Sequence, residues 1–173
     1  MTTALLLIDA QRNMLEGPDS VPSASSIRRV LEGLLHSARH SRAVIVHVQN
    51  DGGSGDPDEP MTFGWELVFP PAEGETVVRK DRCDVFESDS DLASVLKSKG
   101  VDRVVVAGMQ SEFCIEESSL GALREGFEVV VPREAHTTYD EEQKTAREVS
   151  GAVERKLEAA GVSVVGIEAV DFA

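Results

Sequence analysis

Cys114 is the residue in this chain with the clearest chemical potential, because it lies where a buried strand gives way to a predicted helix. In residues 104–120, VVVAGMQSEFCIEESSL, an apolar run reaches a glycine and a helical pattern follows. A thiol in the first turn of a helix faces the positive end of the helix dipole, which lowers the thiol pKa. The alternative is a small apolar residue behind the sheet, since free cysteines are commonly buried and inert.

A cation near Cys114 would have a clear physical role. Three glutamates close in the sequence would oppose ionisation of the thiol: Glu112, Glu116 and Glu117. Lys80, at the end of a short β-branched run, is the candidate cation, although most lysines are solvated surface charges.

Asp9 ends the apolar run ALLLID, where an unpaired carboxylate would be costly to desolvate. Aspartate commonly caps a helix or turn. The residues that follow, AQRNML, do not begin a clean helix, so a carboxylate with an opposing cation is favoured.

Cys83 is the other cysteine, and it lies in the polar segment RKDRCDVF without a helix start beside it. The flanking basic residues could also promote a thiolate, but we interpret Cys83 as an incidental thiol. Two cysteines do not make a disulfide framework, which favours a reducing compartment.

The elements that would position these side chains alternate between short apolar runs and amphipathic stretches. Strands are predicted at residues 4–9, 43–48, 76–79, 102–108, 127–132 and 161–167. Helices are predicted near residues 25–40, 91–99, 112–125 and 141–160. Repeated βαβ units predict one α/β domain over residues 1–173, a three-layer α/β/α sandwich with a six-stranded, mostly parallel sheet.

Ligands of open parallel sheets bind beyond the carboxyl ends of the strands. Asp9 and Lys80 end the first and third predicted strands, and Gly108 ends the fourth, shortly before Cys114. We therefore expect these side chains to face one rim of the sheet.

The composition excludes some partners. The chain has 173 residues, is 41% hydrophobic and carries a formal net charge of −14. This charge would repel nucleic acid and anionic membrane surfaces. The N-terminal apolar run is too short for a signal peptide and lacks a basic leader, so we expect a cytoplasmic protein.

Three segments in order and in register resemble the isochorismatase-like cysteine hydrolase family. They are LLLIDAQRNM, VVRKDRCDVF and VVVAGMQSEFCIEESSLGALREGFEVVVPREA. The family pattern is an apolar strand ending in Asp-x-Gln, a lysine at a strand end, and a glycine six residues before a cysteine. The similarity covers nearly the whole chain.

The resemblance implies a catalytic triad of Asp9, Lys80 and Cys114. Asp9 would be the general base, Lys80 would favour the thiolate, and Cys114 would attack a carbonyl to form a thioester. The family usually has a cis peptide after the position of Met109. That bond would direct the backbone amide of Gln110, beside that of Cys114, toward an oxyanion.

We expect no metal and no cofactor. Nicotinamidases of the family bind a metal through an Asp-x-His pair, which the segment HVQNDGGSGDP lacks. His36 and His40 lie one helical turn apart but lack a third ligand, so we interpret them as solvated helix-end residues. His47, inside an apolar strand, is interpreted as a satisfied core residue.

The resemblance predicts hydrolysis of an amide-type C–N bond in a small molecule. True isochorismatases of the family lack the nucleophilic cysteine, which argues against isochorismate as the substrate. The pocket wall is predicted to include Met14, Trp65 and Phe113, although Trp65 could equally be a core or interface anchor.

Two other functions stay open, and so does the assembly. Asp9 could accept a phosphoryl group, but the partner aspartate expected two residues later is Gln11. The chain could also be a non-catalytic binding or assembly module on the same fold. By resemblance we expect a homo-oligomer, a dimer or tetramer, for which residues 63–71 are a plausible contact.

Overall fold

The computed structural model describes residues 1–172, whose strands all run parallel in one sheet. The strands are β1 (Thr2–Ile8), β2 (Val44–Asn50), β3 (Thr76–Lys80), β4 (Val101–Met109), β5 (Glu128–Pro132), β6 (His136–Thr137) and β7 (Ser163–Val165). Their order is β3-β2-β1-β4-β5-β7, and β6 pairs with the end of β4. The six predicted strands are confirmed, and the two-residue β6 is an additional seventh.

Strand β1 lies at the centre because both of its faces are apolar. Leu5 and Leu7 pack into one core, and Leu6 and Ile8 pack into the other. All four are at most 1% exposed. A strand covered on both sides lies within a parallel sheet, where helices occupy both faces.

Helices cover both faces of the sheet. They are α1 (Arg12–Leu15), α2 (Ala24–His40), α3 (Val85–Ser88), α4 (Leu92–Ser98), α5 (Glu116–Arg124) and α6 (Ala146–Ala160). The first two contribute to the core around Leu5, and the other four to the core around Leu6. The predicted three-layer sandwich is confirmed. Within residues 1–172, no helix has the length and apolarity needed to cross a bilayer.

Two predicted helix boundaries are wrong for local reasons. Helix α6 begins at Ala146 instead of residue 141, because Thr145 caps it and Glu148 completes a capping box. The helix predicted at residues 112–125 is divided into a π-helical turn, Ser111–Ile115, and α5. Cys114 therefore lies in the π-helical turn that precedes α5.

Gly108 allows β4 to approach β1 at the rim of the sheet. Its φ of +125° is in a region that L side chains rarely adopt, and a Cβ there would collide with the carbonyl oxygen of Ile8. Only glycine fits this position without moving Ile8 and, with it, Asp9.

Replacing Gly108 by Ala is expected to lower the free energy of unfolding by about 2 kcal/mol or more, because backbone strain and the collision act together. Urea denaturation measures the change.

Gly126→Ala is the matched control, because Gly126 also has a positive φ, +86°, but open space around its Cβ position. We expect it to cost only about 1 kcal/mol. Equal losses in the two variants would contradict the importance of the close approach.

Candidate active site

The ammonium group of Lys80 brings the predicted triad together. Its Nζ lies 3.0 Å from Oδ2 of Asp9 and 3.2 Å from Sγ of Cys114. The first two side chains extend from the ends of β3 and β1, and the thiol is in the turn that follows β4. The rim predicted from the strand ends therefore exists, and all three side chains meet at it.

Lys80 uses every donor that it has. A lysine ammonium has three N–H groups, and a third acceptor, Oδ1 of Asn50, lies 2.9 Å away. The Lys80 side chain is 0% exposed and that of Asp9 is 1% exposed. The cation is thus held in a buried position between three acceptors.

Asn50 is a site residue that the sequence analysis missed. Its amide donates 2.7 Å to Oδ2 of Asp58 while its oxygen accepts from Lys80. Its backbone N–H and C=O are bonded to the side chain of Gln11, which also donates to the carbonyl of Trp65. The Gln of the Asp-x-Gln pattern therefore holds the end of β2 beside β1, a role that the spacing alone did not indicate.

Asp9 leaves β1 in a left-handed conformation, with a φ of 50°, which aspartate adopts more readily than most residues. Its backbone N–H still donates to the carbonyl of Val48. Its second oxygen, Oδ1, is buried without a hydrogen-bond partner. Burial raises the pKa of Asp9, although Lys80 and the neighbouring Cys114 thiol lower it in part.

For Lys80, burial and the charge of its partner each shift the pKa in the direction opposite to their effect on Asp9. Burial lowers the pKa of Lys80, but the negative charge of Asp9 and the neighbouring Cys114 outweigh it, so the pKa is raised. Lys80 therefore remains an ammonium across the neutral range.

The sequence-based expectation of a lowered thiol pKa is wrong. Burial raises the pKa of Cys114, and Asp9 raises it further, while Lys80 opposes both. The opposing negative charge thus comes from Asp9 and not from the glutamates close in sequence. Glu112 accepts a hydrogen bond from Thr138, and Glu116 is paired with Lys156.

Burial makes both acids of the site weaker. Two negative charges beside one ammonium, all withdrawn from water, are disfavoured, so one proton stays on the pair formed by Asp9 and Cys114. The arrangement therefore combines a thiol, a base and a fixed cation, as covalent catalysis by cysteine requires.

The triad opens into a cavity of about 440 Å³. Met14 and Phe113 line it, in agreement with the sequence analysis. Trp65 does not line it, which corrects the third predicted wall residue. The Trp65 indole instead donates to Asp51 and lies against the guanidinium of Arg79. Its side chain therefore anchors the loop between β2 and β3.

The second cysteine also reaches the cavity. Cys83 is exposed but lines the same cavity, although it makes no contact with Lys80 or Asp9 among the described side chains.

A larger cavity, about 520 Å³, lies between α2 and α6. It lacks all three triad residues, so we assign the site to the smaller cavity.

The peptide bond between Met109 and Gln110 is cis, as the resemblance implies. Gln110 lines the cavity beside Cys114. The carbonyl of Gln110 accepts from the amides of Phe113 and Ile115, which fixes the π-helical turn.

The histidines lie away from the triad. His36 and His40 are exposed on α2, and His47 is buried and bonded to Glu75, as interpreted from the sequence. His136 is buried and bonded to Ser111. Among residues 1–172, no three His, Cys, Asp or Glu side chains are grouped as a metal site would need.

Several known proteins are similar to this chain in sequence and in fold. The family model for the isochorismatase domain matches residues 3–153. A streptothricin hydrolase of Streptomyces noursei is 42% identical over 139 residues, which are 79% of this chain and 50% of that protein. The maleamate amidohydrolase of Pseudomonas putida is 32% identical over 151 residues, 76% of this chain and 70% of that protein.

A solved structure agrees over almost the full length. An isochorismatase family protein from Desulfovibrio vulgaris is 28% identical with a TM-score of 0.82, and the match covers 97% of this chain and 95% of that chain. This chain spans about half the length of the streptothricin hydrolases that it matches.

Replacing Asn50 by Leu should lower the free energy of unfolding by about 2 kcal/mol, because it removes an acceptor from a buried ammonium. Chemical denaturation measures the loss. Asn13→Leu is the control in the same cavity, since the amide oxygen of Asn13 has no hydrogen-bond partner. A loss as large in the control would mean that cavity shape, and not the contact with Lys80, stabilises the site.

Proposed function

The chain belongs to the isochorismatase family, and on that basis we propose that it is a cysteine hydrolase that cleaves an amide-type C–N bond of a small molecule. The observation that carries the proposal is the position of Lys80 Nζ, within 3.0 Å of Asp9 and 3.2 Å of Cys114. Two of the similar proteins are named as a streptothricin hydrolase and a maleamate amidohydrolase. The second name, that of an amidohydrolase, supports a C–N bond as the target.

The first step is attack of Cys114 on the carbonyl carbon. Because the thiol pKa is raised, the thiol needs a base, and Asp9 takes its proton as the C–S bond forms. The carbonyl electron pair moves to oxygen. Lys80 stays charged throughout and stabilises the negative charge on sulfur and on Asp9 in turn.

The backbone amides of Gln110 and Cys114 are the proposed donors to the oxyanion. Both residues line the cavity, and the cis peptide lies directly before Gln110. Amides aimed at the developing charge stabilise a tetrahedral intermediate without reorganisation. The intermediate then collapses, the C–N bond breaks, and Asp9 returns its proton to the leaving nitrogen.

Water completes the reaction. Asp9, again a carboxylate, takes a proton from water as the water oxygen attacks the thioester. The C–S bond breaks, the acid product forms, and the proton returns to the sulfur of Cys114. The site regains its resting protonation.

A phosphoryl-accepting Asp9 has no support in the contacts around it. The position two residues later is Gln11, and its side-chain amide is committed to the carbonyls of Asn50 and Trp65. Asp9 itself is bound to Lys80. A magnesium-dependent phosphatase would need acidic ligands where this chain has an amide.

Cys114→Ala is expected to abolish turnover of a panel of small amides, at least about 10³-fold in kcat/KM, because it removes the nucleophile. Cys83→Ala is the matched control and should stay active, since the Cys83 thiol contacts neither Lys80 nor Asp9. Intact-mass and peptide-mass spectra of the quenched enzyme should locate an acyl adduct on Cys114.

An adduct on Cys83, or loss of activity only in Cys83→Ala, would mean that the other thiol is the nucleophile. Absence of turnover and of any acyl adduct across the panel would favour the non-catalytic binding module.

The pH dependence of kcat/KM should follow Asp9. Its pKa is raised, so activity should be lost as the pH falls through a value above 3.8, the ordinary aspartate pKa, because protonated Asp9 cannot accept the thiol proton. Since the pKa of Lys80 is raised above 10.5, no loss from ammonium deprotonation is expected below that pH. Initial rates from pH 3 to about 10 give the profile.

A profile that instead rises through about pH 8.5, the ordinary thiol pKa, would contradict this assignment, because it would mean that a free thiolate reacts without Asp9.

A further inference from the structure

Two carboxylates in the wall of the active-site cavity lack a cationic partner. Asp58 and Asp81 line the cavity, and neither has a Lys, Arg or His nitrogen within 4.0 Å in the part of the chain that the structure describes. Lys80 is committed to Asp9. Arg82 also lines the cavity, but its side chain is 65% exposed and the carboxylate within its reach is that of Glu87, 3.9 Å away. The cavity wall therefore carries three carboxylates, those of Asp9, Asp58 and Asp81, against two cations, Lys80 and Arg82.

Asp58 is the more informative of the two because it is buried. It is only 9% exposed, and its one side-chain hydrogen bond comes from the neutral amide of Asn50, 2.7 Å from Oδ2. A carboxylate withdrawn from water without a counter-ion is destabilised, and a cationic ligand relieves that cost. A buried carboxylate that has no counter-ion within the protein is therefore a candidate binding group for a ligand cation.

The loop around Asp58 is built to hold this carboxylate. The N–H of Gly52 donates to the Asp58 carbonyl at 3.0 Å. A Cβ at Gly52 would collide with the Asp58 carboxylate, so the glycine makes room for it. The position of the side chain is therefore fixed by backbone contacts as well as by Asn50.

Asp58 also lies close to the reacting groups. The amide of Asn50 bridges Asp58 to Lys80, with 2.7 Å on one side and 2.9 Å on the other. A single amide group therefore separates the carboxylate from the ammonium that contacts Cys114. The negative charge of Asp58 also contributes to raising the pKa of Asp9. A ligand cation at Asp58 and a carbonyl at the thiol would therefore occupy the same cavity.

We propose that the substrate of this site is a small amide with an ammonium or guanidinium group near the scissile carbonyl, and that Asp58 binds this group. The inference rests on the proposed amide hydrolase and adds its substrate class. Met14, Phe113 and Tyr139 line the same cavity and provide apolar and aromatic surface for the rest of the molecule. A cavity of about 440 Å³ suits a small substrate.

Three amides of similar shape and different charge test the proposal. They are 3-aminopropanamide, which is cationic, butanamide, which is neutral, and succinamate, which is anionic. The wild-type kcat/KM should be highest for 3-aminopropanamide, at least about tenfold above butanamide, and lowest for succinamate, because a close charge pair withdrawn from water contributes strongly to binding. Equal values for the first two amides, or a preference for succinamate, would overturn the proposal.

Asp58→Asn tests the residue. The asparagine oxygen can still accept from Asn50, so the substitution removes the negative charge and leaves the size and shape of the side chain nearly unchanged. The ratio of kcat/KM for 3-aminopropanamide over butanamide should fall by about tenfold or more. Asp56→Asn is the matched control: it removes one charge from an exposed position of the same loop and should leave the ratio unchanged. Equal effects in both variants would overturn the role of Asp58.

Binding to Cys114→Ala separates this inference from the proposed function. Calorimetric or NMR titration of that variant should give tighter binding of 3-aminopropanamide than of butanamide, and Asp58→Asn in the same background should remove the difference. If this preference is present but no amide is hydrolysed by the wild type, the amidase proposal fails and the cation site stands. If amides are hydrolysed but the preference is absent, the cation site fails alone.

Discussion

The ammonium of Lys80 makes the contacts on which the candidate active site depends. It is fully buried and has an acceptor for each N–H, supplied by Asp9, Cys114 and Asn50. A buried charge with its donors satisfied is held in one geometry, because moving it would expose a costly unpaired ion. Each acceptor comes from the end of a different strand or from the turn after one. The cation therefore joins three parts of the rim that the sheet alone would only bring near one another.

Backbone features bring these strand ends into register. Gly108 allows β4 to lie against Ile8, and the left-handed conformation of Asp9 turns its carboxylate out of β1. Gln11 binds both backbone groups of Asn50, which ties β2 to the same rim. The side chains nearest the chemistry are thus positioned by residues that perform none of it. Substitutions at such positions would act through geometry.

Local patterns in the sequence predicted the elements, and the parts that depend on long-range contact were missed. The six strands follow from buried apolar runs, and the meeting of Asp9 and Lys80 follows from the rule for strand ends. The two-residue β6 exists only because it pairs with β4, so no periodicity indicated it. Trp65 was a pocket candidate by its position in the chain, with an anchoring role left equally open, and in the structure its indole donates to Asp51 and lies against Arg79. Asn50 was missed because the predicted second strand stopped at residue 48, whereas β2 continues to Asn50.

The raised pKa of Cys114 gives a different chemical logic from the one that a helix start suggests. A thiol ionised in the resting state would place a second negative charge beside Asp9, and burial makes that state unfavourable. Keeping the proton on the pair leaves the site with one ammonium and one negative charge. In the proposed mechanism, the thiolate then forms only when a carbonyl is in place to receive its electrons. Asp58 adds a further negative charge that raises the pKa of Asp9, which makes Asp9 a stronger base for the thiol proton. The carboxylate that is proposed to bind a cationic amide therefore also raises the pKa of the proposed base, Asp9.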